Sequence, residues 1–189
     1  MRLIRPALSL LIAMTVLLGL VYPLVITGLA RVAFPRQAEG SLVYRDGKLV
    51  GSSLIGQSFS DPGHFWGRPS ATMPQPYNGL ASTGSNLGPL NPALLEQVKK
   101  FSKALHDADP QNSAPIPVDL VTASASGLDP EISLAAARYQ AGRVARARGV
   151  ALAEVLKLID SHAQGRLLGL MGEPRVSVLD LNLALDSRR

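Results

Sequence analysis

The residues best equipped for chemistry lie between Leu134 and Arg148, where Arg138, Arg143, Arg146 and Arg148 accompany Gln140. On a helix, Gln140 and Arg143 are three apart and share a face, which could grip a phosphate or an acidic partner through charge-assisted hydrogen bonds. Pattern alone favours the plainer alternative, an amphipathic helix whose arginine stems cover apolar surface. Gly51 to Ser58 has the glycine spacing of a phosphate-binding loop, but Gln57 stands where a lysine must reach the phosphates, and Leu54 and Ile55 look like strand residues. His64, His106 and His162 are isolated from one another, which argues against a metal site. Asp107 and Asp109 read as a solvated loop pair, and neither a Gly-x-Ser-x-Gly elbow nor a Ser-x-x-Lys motif offers a nucleophile.

These residues must be held by some framework, and its first part is not a soluble one. Pro6 to Ala30 contains no charged residue, and Arg2, Arg5, Arg31 and Arg36 flank it. About 20 helical residues cross a bilayer's hydrocarbon core, so the segment is expected to span over about residues 8–29. A cleaved signal peptide is the alternative, with small residues at Gly28 and Ala30, but its apolar region is usually only ~7 to 15 residues long. The span carries small residues at helical spacing, Ser9 with Ala13 and Thr15 with Gly19, which would let another helix approach closely. Pro23 is expected to free a backbone carbonyl and favour a kink. Cations on both sides leave the membrane orientation undecided.

The remainder forms the second part. The chain has 189 residues, 17% charged and without cysteine, which excludes disulfide scaffolds, thiolate metal sites and cysteine nucleophiles. Its net charge of +5 resides mostly at the flanks of the span, since residues 37–189 carry fifteen basic and fourteen acidic groups. Such a balance argues against a nucleic-acid partner, which needs a dense basic face. The expected organisation is therefore an anchor over residues 1–36 and one extramembrane domain over 37–189.

Within that domain, Asp46-Gly47 between apolar runs predicts a hairpin. Residues 61–92 are rich in Pro, Gly and Asn, and the aromatic residues Phe65, Trp66 and Tyr77 with Arg68 suggest an ordered, packed loop. Asn91-Pro92 predicts the start of a helix to about His106, with Leu94, Val98, Phe101 and Leu105 inward, a Leu90–Leu95 staple and a Glu96–Lys100 pair. Val118 to Thr122 is expected as a short strand. Ser133 is expected to cap a helix over Leu134 to Arg148 ended by Gly149, and Leu152 to His162 to form another. Val176 to Leu185 is expected as a closing strand with Leu179, Leu181, Leu183 and Leu185 on one face. The sum is an α+β domain behind a single N-terminal transmembrane helix.

Longer phrases carry a resemblance. Gly51–Phe59 (GSSLIGQSF), Phe65–Thr72 (FWGRPSAT), Pro76–Leu94 (PYNGLASTGSNLGPLNPAL), Pro117–Pro130 (PVDLVTASASGLDP), Ala135–Gly149 (AAARYQAGRVARARG) and Gly172–Asp186 (GEPRVSVLDLNLALD) run in order over nearly the whole chain. Together they resemble the C subunit of the Kdp-type high-affinity potassium-transporting ATPase of bacteria. Thr83 and Leu134 depart from the glycine and proline often found in that family.

The resemblance implies a non-catalytic subunit with one membrane helix, assembling with a potassium-channel-like pore subunit and a P-type ATPase subunit in the inner membrane, its domain extracytoplasmic. It also implies a catalytic-chaperone role that raises the pump's ATP affinity, with Gln140 and Arg143 as the nucleotide-binding candidates and no tightly bound cofactor. A membrane-anchored binding module without nucleotide contact is the competing reading, because a ~30 Å hydrocarbon core would separate such a domain from cytoplasmic ATP. Arg68, Tyr77, Asn78 and Asn86 of the long loop are the candidates for partner contact.

Overall fold

The computed structural model describes residues 3–187, so Arg2, one of the expected flanking cations, lies outside the described residues. The chain divides into two compact units, Met1–Val50 and Gly51–Arg189.

In the first unit, helix α1 (Ile4–Val16), a π-helical turn (Leu17–Val21) and α2 (Tyr22–Ala33) form one apolar rod. The rod is 30 residues long with a mean hydropathy of 2.4 and is unburied, long and apolar enough to cross a membrane. The proline effect appears upstream of Pro23 as the π turn, in which the Tyr22 amide donates to the Leu17 carbonyl. A short helix, α3 (Pro35–Ala38), leads to the hairpin of β1 (Leu42–Arg45) and β2 (Lys48–Ser52). Asp46 (φ 51°) and Gly47 (φ 73°) are both left-handed at its turn, the arrangement that matches the twist of paired strands.

The second unit follows α4 (Pro92–Ala108), a 3-10 turn (Val118–Leu120), β3 (Glu131–Ser133), α5 (Leu134–Arg148), α6 (Leu152–His162), β4 (Arg175–Ser177) and α7 (Val178–Asp186). Strands β3 and β4 pair antiparallel with Ile132 opposite Val176, and each runs straight into a helix at a serine. The Ser133 hydroxyl accepts from the Ala136 amide that opens α5, and Ser177 does the same for Asp180 in α7. Helix α5 is the centre of the unit. Ala136, Ala137, Ala141, Val144 and Ala145 are buried, and such small side chains let α6, β3 and β4 approach closely. It ends at Gly149 (φ 66°), where Gly149 and Val150 amides return to the Arg146 and Ala145 carbonyls, a closure that requires the left-handed residue.

Two expected strands are not strands. Where a short buried strand was expected over Val118 to Thr122, Val118–Leu120 is a 3-10 turn: Val118 is exposed, and the Val121 and Thr122 amides both return to its carbonyl. At the C-terminus only Arg175–Ser177 is extended, and the rest is helix α7. Val178, Leu179, Leu181, Asn182 and Leu185 are its buried residues, a spacing of three and four; Leu179, Leu181 and Leu185 of the expected strand face fit this helical face as well, while Leu183 is only half-buried. On α4, Glu96 pairs with Lys99 (3.3 Å) instead of Lys100. Leu90 and Leu95 both stay exposed, so the expected staple is not sealed. Asp109 is buried against Arg146 and so is not a solvated loop residue.

Candidate functional site

Helix α5 presents Gln140 and Arg143 on one face, as their spacing requires, and that face meets the start of the long loop. The Gln140 Oε1 accepts from the Trp66 amide (2.8 Å), and its Nε2 donates to the Trp66 carbonyl (3.0 Å), so the side-chain amide pairs with the loop backbone as a neighbouring strand would. Arg143 donates to the same Gln140 oxygen (2.7 Å) and to the Pro62 carbonyl, and its guanidinium lies 4.3 Å from the Trp66 ring centroid. Exposure is 1% for Gln140 and 4% for Arg143. Burial lowers the Arg143 pKa to about 10, with Asp109 and Asp61 acting the other way, so the cation persists at neutral pH. The pair thus sits beneath the loop, with its hydrogen bonds directed into it.

Two further contacts, one buried and one half-buried, extend this clamp. Asn182 of α7, expected on the polar face of a strand, accepts from the Phe65 amide (2.8 Å) and donates to the Phe65 carbonyl (3.0 Å). His64 Nε2 lies 3.2 Å from Asp186, which also takes a 2.6 Å bond from Arg148. Burial pushes the Asp186 carboxyl upward, but hydrogen bonds from Arg148 and His64 outweigh it and hold the group below its ordinary range. Phe65 and Trp66 are therefore held on α7 and α5 by carboxamides that match their backbone donors and acceptors, and His64 by its own ring against Asp186. Sequence reasoning missed Asn182, His64 and Asp186. Ser177-x-x-Asp180, a cap signature before an apolar run, was the available hint that α7 is a helix.

The next part of the loop is tied by its own polar groups. Arg68 pairs with Asp129 (3.0 Å), and the Tyr77 hydroxyl donates to the Arg68 carbonyl (2.6 Å). Burial, aided by Asp129 and opposed by Arg68, raises the Tyr77 pKa to about 12 and keeps the phenol a donor. The Ser70 hydroxyl joins the Gly127 carbonyl (2.7 Å) to the Tyr77 amide (2.9 Å), and Asn78 Nδ2 donates to the Met73 carbonyl (2.9 Å). Gly56 packs beneath: a Cβ there would lie 2.4 Å from the Tyr77 ring and 2.6 Å from the Asp129 carbonyl. Arg68, Tyr77 and Asn78 are thus brought together as internal ties. Asn86 is exposed further along, with φ 52°. Of the expected helix-packing residues, Ser9, Ala13 and Thr15 lie on α1 and Gly19 in the π turn, all exposed.

Outward, the loop shows large apolar side chains among polar ones. Met73, Leu80 and Leu90 are 71%, 100% and 96% exposed. A cavity of about 350 Å³ nearby is lined by Phe59, Trp66, Arg68, Tyr77, Phe101 and Leu120 among others. A rigid loop with bare apolar tips suits binding to another protein better than bond-breaking chemistry.

The family model described as "KdpC: K+-transporting ATPase, c chain" matches residues 4–187. The chain belongs to this KdpC family. Among curated relatives, "Potassium-transporting ATPase KdpC subunit" of Methylibium petroleiphilum is 64% identical over 187 residues, 99% of this chain and 98% of the relative. The same-named proteins of Polaromonas naphthalenivorans and Sorangium cellulosum are 65% and 62% identical, over 97% and 98% of this chain and 94% and 98% of theirs. Membership makes the chain a KdpC subunit of a potassium-transporting ATPase, with one candidate transmembrane helix among the described residues.

Proposed function

We propose that the chain works as the accessory, non-catalytic subunit that holds a potassium pump's other subunits together, its apolar rod docking in the inner membrane and loop 61–92 forming the contact surface. The partners implied by the resemblance are a channel-like pore subunit and a P-type ATPase subunit. The observation that carries this reading is the division of labour in the loop. Gln140, Arg143, Asn182, Arg68 and Tyr77 secure it from within, while Met73, Leu80 and Leu90 are left for a partner.

The ATP effect implied by the resemblance would then be exerted through assembly, with Gln140 and Arg143 keeping the loop in shape. Tagged chain should co-purify the ATPase and pore subunits, and Leu80→Asp with Leu90→Asp should reduce that recovery at unchanged domain stability. Unchanged recovery would count against the loop as the contact surface. Titrating ATP against the complex with and without this chain tests the second part: a lower KM in its presence is expected, and equal values would leave assembly alone. A reporter fused after Arg189 should register the extracytoplasmic side.

A further inference from the structure

The membrane rod contains a backbone acceptor that its own helix cannot satisfy. In a regular helix the Leu18 carbonyl would accept from the amide of Tyr22, four residues on, but in the π turn that amide donates to Leu17 instead. The next amide in line is that of residue 23, and Pro23 has none. Leu18 thus loses both donors at once.

Its depth makes the loss costly. Leu18 lies at the middle of the apolar stretch Ile4–Ala33, where a spanning helix meets no water and an unpaired carbonyl is strongly disfavoured. Between Gly19 and Val25 there is no Ser, Thr, Asn or Gln whose short side chain could fold back to it. Gly19 stands beside it without a side chain, and a Cβ built there would meet nothing within 4 Å, so the backbone at Gly19 leaves room for a second helix to come close.

We infer that this carbonyl is the docking point for a transmembrane helix of another pump subunit, one carrying a hydroxyl or carboxamide side chain at mid-membrane depth that donates to the Leu18 oxygen. This rests on the function proposed above and names the contact within it. A donor from a partner helix resolves the unsatisfied group, and the bare backbone at Gly19 permits the close approach that such a bond needs.

The test uses the full complex, purified through a tag on this chain in mild detergent. Pro23→Ala returns an amide to the helix and lets it satisfy its own carbonyls. Gly19→Leu leaves the backbone alone and covers the approach. Both should lower retention of the other subunits, by roughly three- to tenfold, as loss of one interhelical hydrogen bond and its packing would. Because the chain has no cysteine, a single Gly19→Cys should also cross-link to a cysteine placed in a helix of another subunit. Wild-type retention in Pro23→Ala, or loss in that variant with none in Gly19→Leu, overturns the inference alone. Cross-linking only between two copies of this chain overturns the choice of partner. A wild-type chain that retains no other subunit overturns the proposed function and this contact with it.

Discussion

Gln140, a candidate for nucleotide binding in the sequence, carries a structural duty in the fold. Its amide pairs with both backbone groups of Trp66, so Gln140→Ala leaves a buried donor and acceptor unmatched. A loss of about 1–3 kcal/mol is expected, read from thermal unfolding and from the fluorescence of Trp66, the single tryptophan. A variant that lost the ATP effect with an unchanged unfolding midpoint would instead give Gln140 a direct nucleotide role. Asp186 predicts a pH effect. Its carboxyl is held below the ordinary value of 3.8 in the folded protein, so its stabilisation is complete above that value and is lost as pH falls through the folded one. Asp186→Asn should therefore lower stability at neutral pH and flatten the acid limb of the unfolding-midpoint profile. A parallel shift of the whole profile would mean that another carboxylate dominates.

Among the elements, serine caps decide where β3 and β4 end. Ser177→Ala removes the acceptor for the Asp180 amide and should cost about 0.5–2 kcal/mol in chemical denaturation. The same serine explains why the C-terminal segment misleads as sequence. Val176 to Leu185 has apolar residues at alternating positions, yet Val176 and Val178 fall on the other parity, because Val176 belongs to β4 and Val178 opens the capped helix. Helix α5 was legible because capping serine and stopping glycine agreed, and α6 because Leu152, Val155, Leu156 and Ile159 recur at helical spacing. The loop tests packing rather than propensity: Gly56→Ala drives a methyl into the Tyr77 ring and the Asp129 carbonyl, with ~1–3 kcal/mol of destabilisation expected in the same assay.

For the whole molecule, the Gly51–Arg189 unit contains the core residues from Phe65 to Leu185. Produced without the preceding residues, it should unfold cooperatively, with Trp66 and far-ultraviolet signals coinciding; separate transitions would mean that its core depends on the first unit. Sequence by itself determined the apolar span, the α+β class and helices α5 and α6, because each rests on local pattern: hydropathy over a stretch, periodicity, a cap and a stop. Tertiary structure alone decided that Gln140 and Arg143 face inward, that Asn182 and His64 join them around residues 64–66, and that the leucines after Val176 lie on a helix. Those outcomes depend on groups more than seventy residues apart in the chain, as the 74 between Trp66 and Gln140 and the 117 between Phe65 and Asn182 show. No local pattern records such a pairing, since a buried amide is matched only when the chain has folded around it.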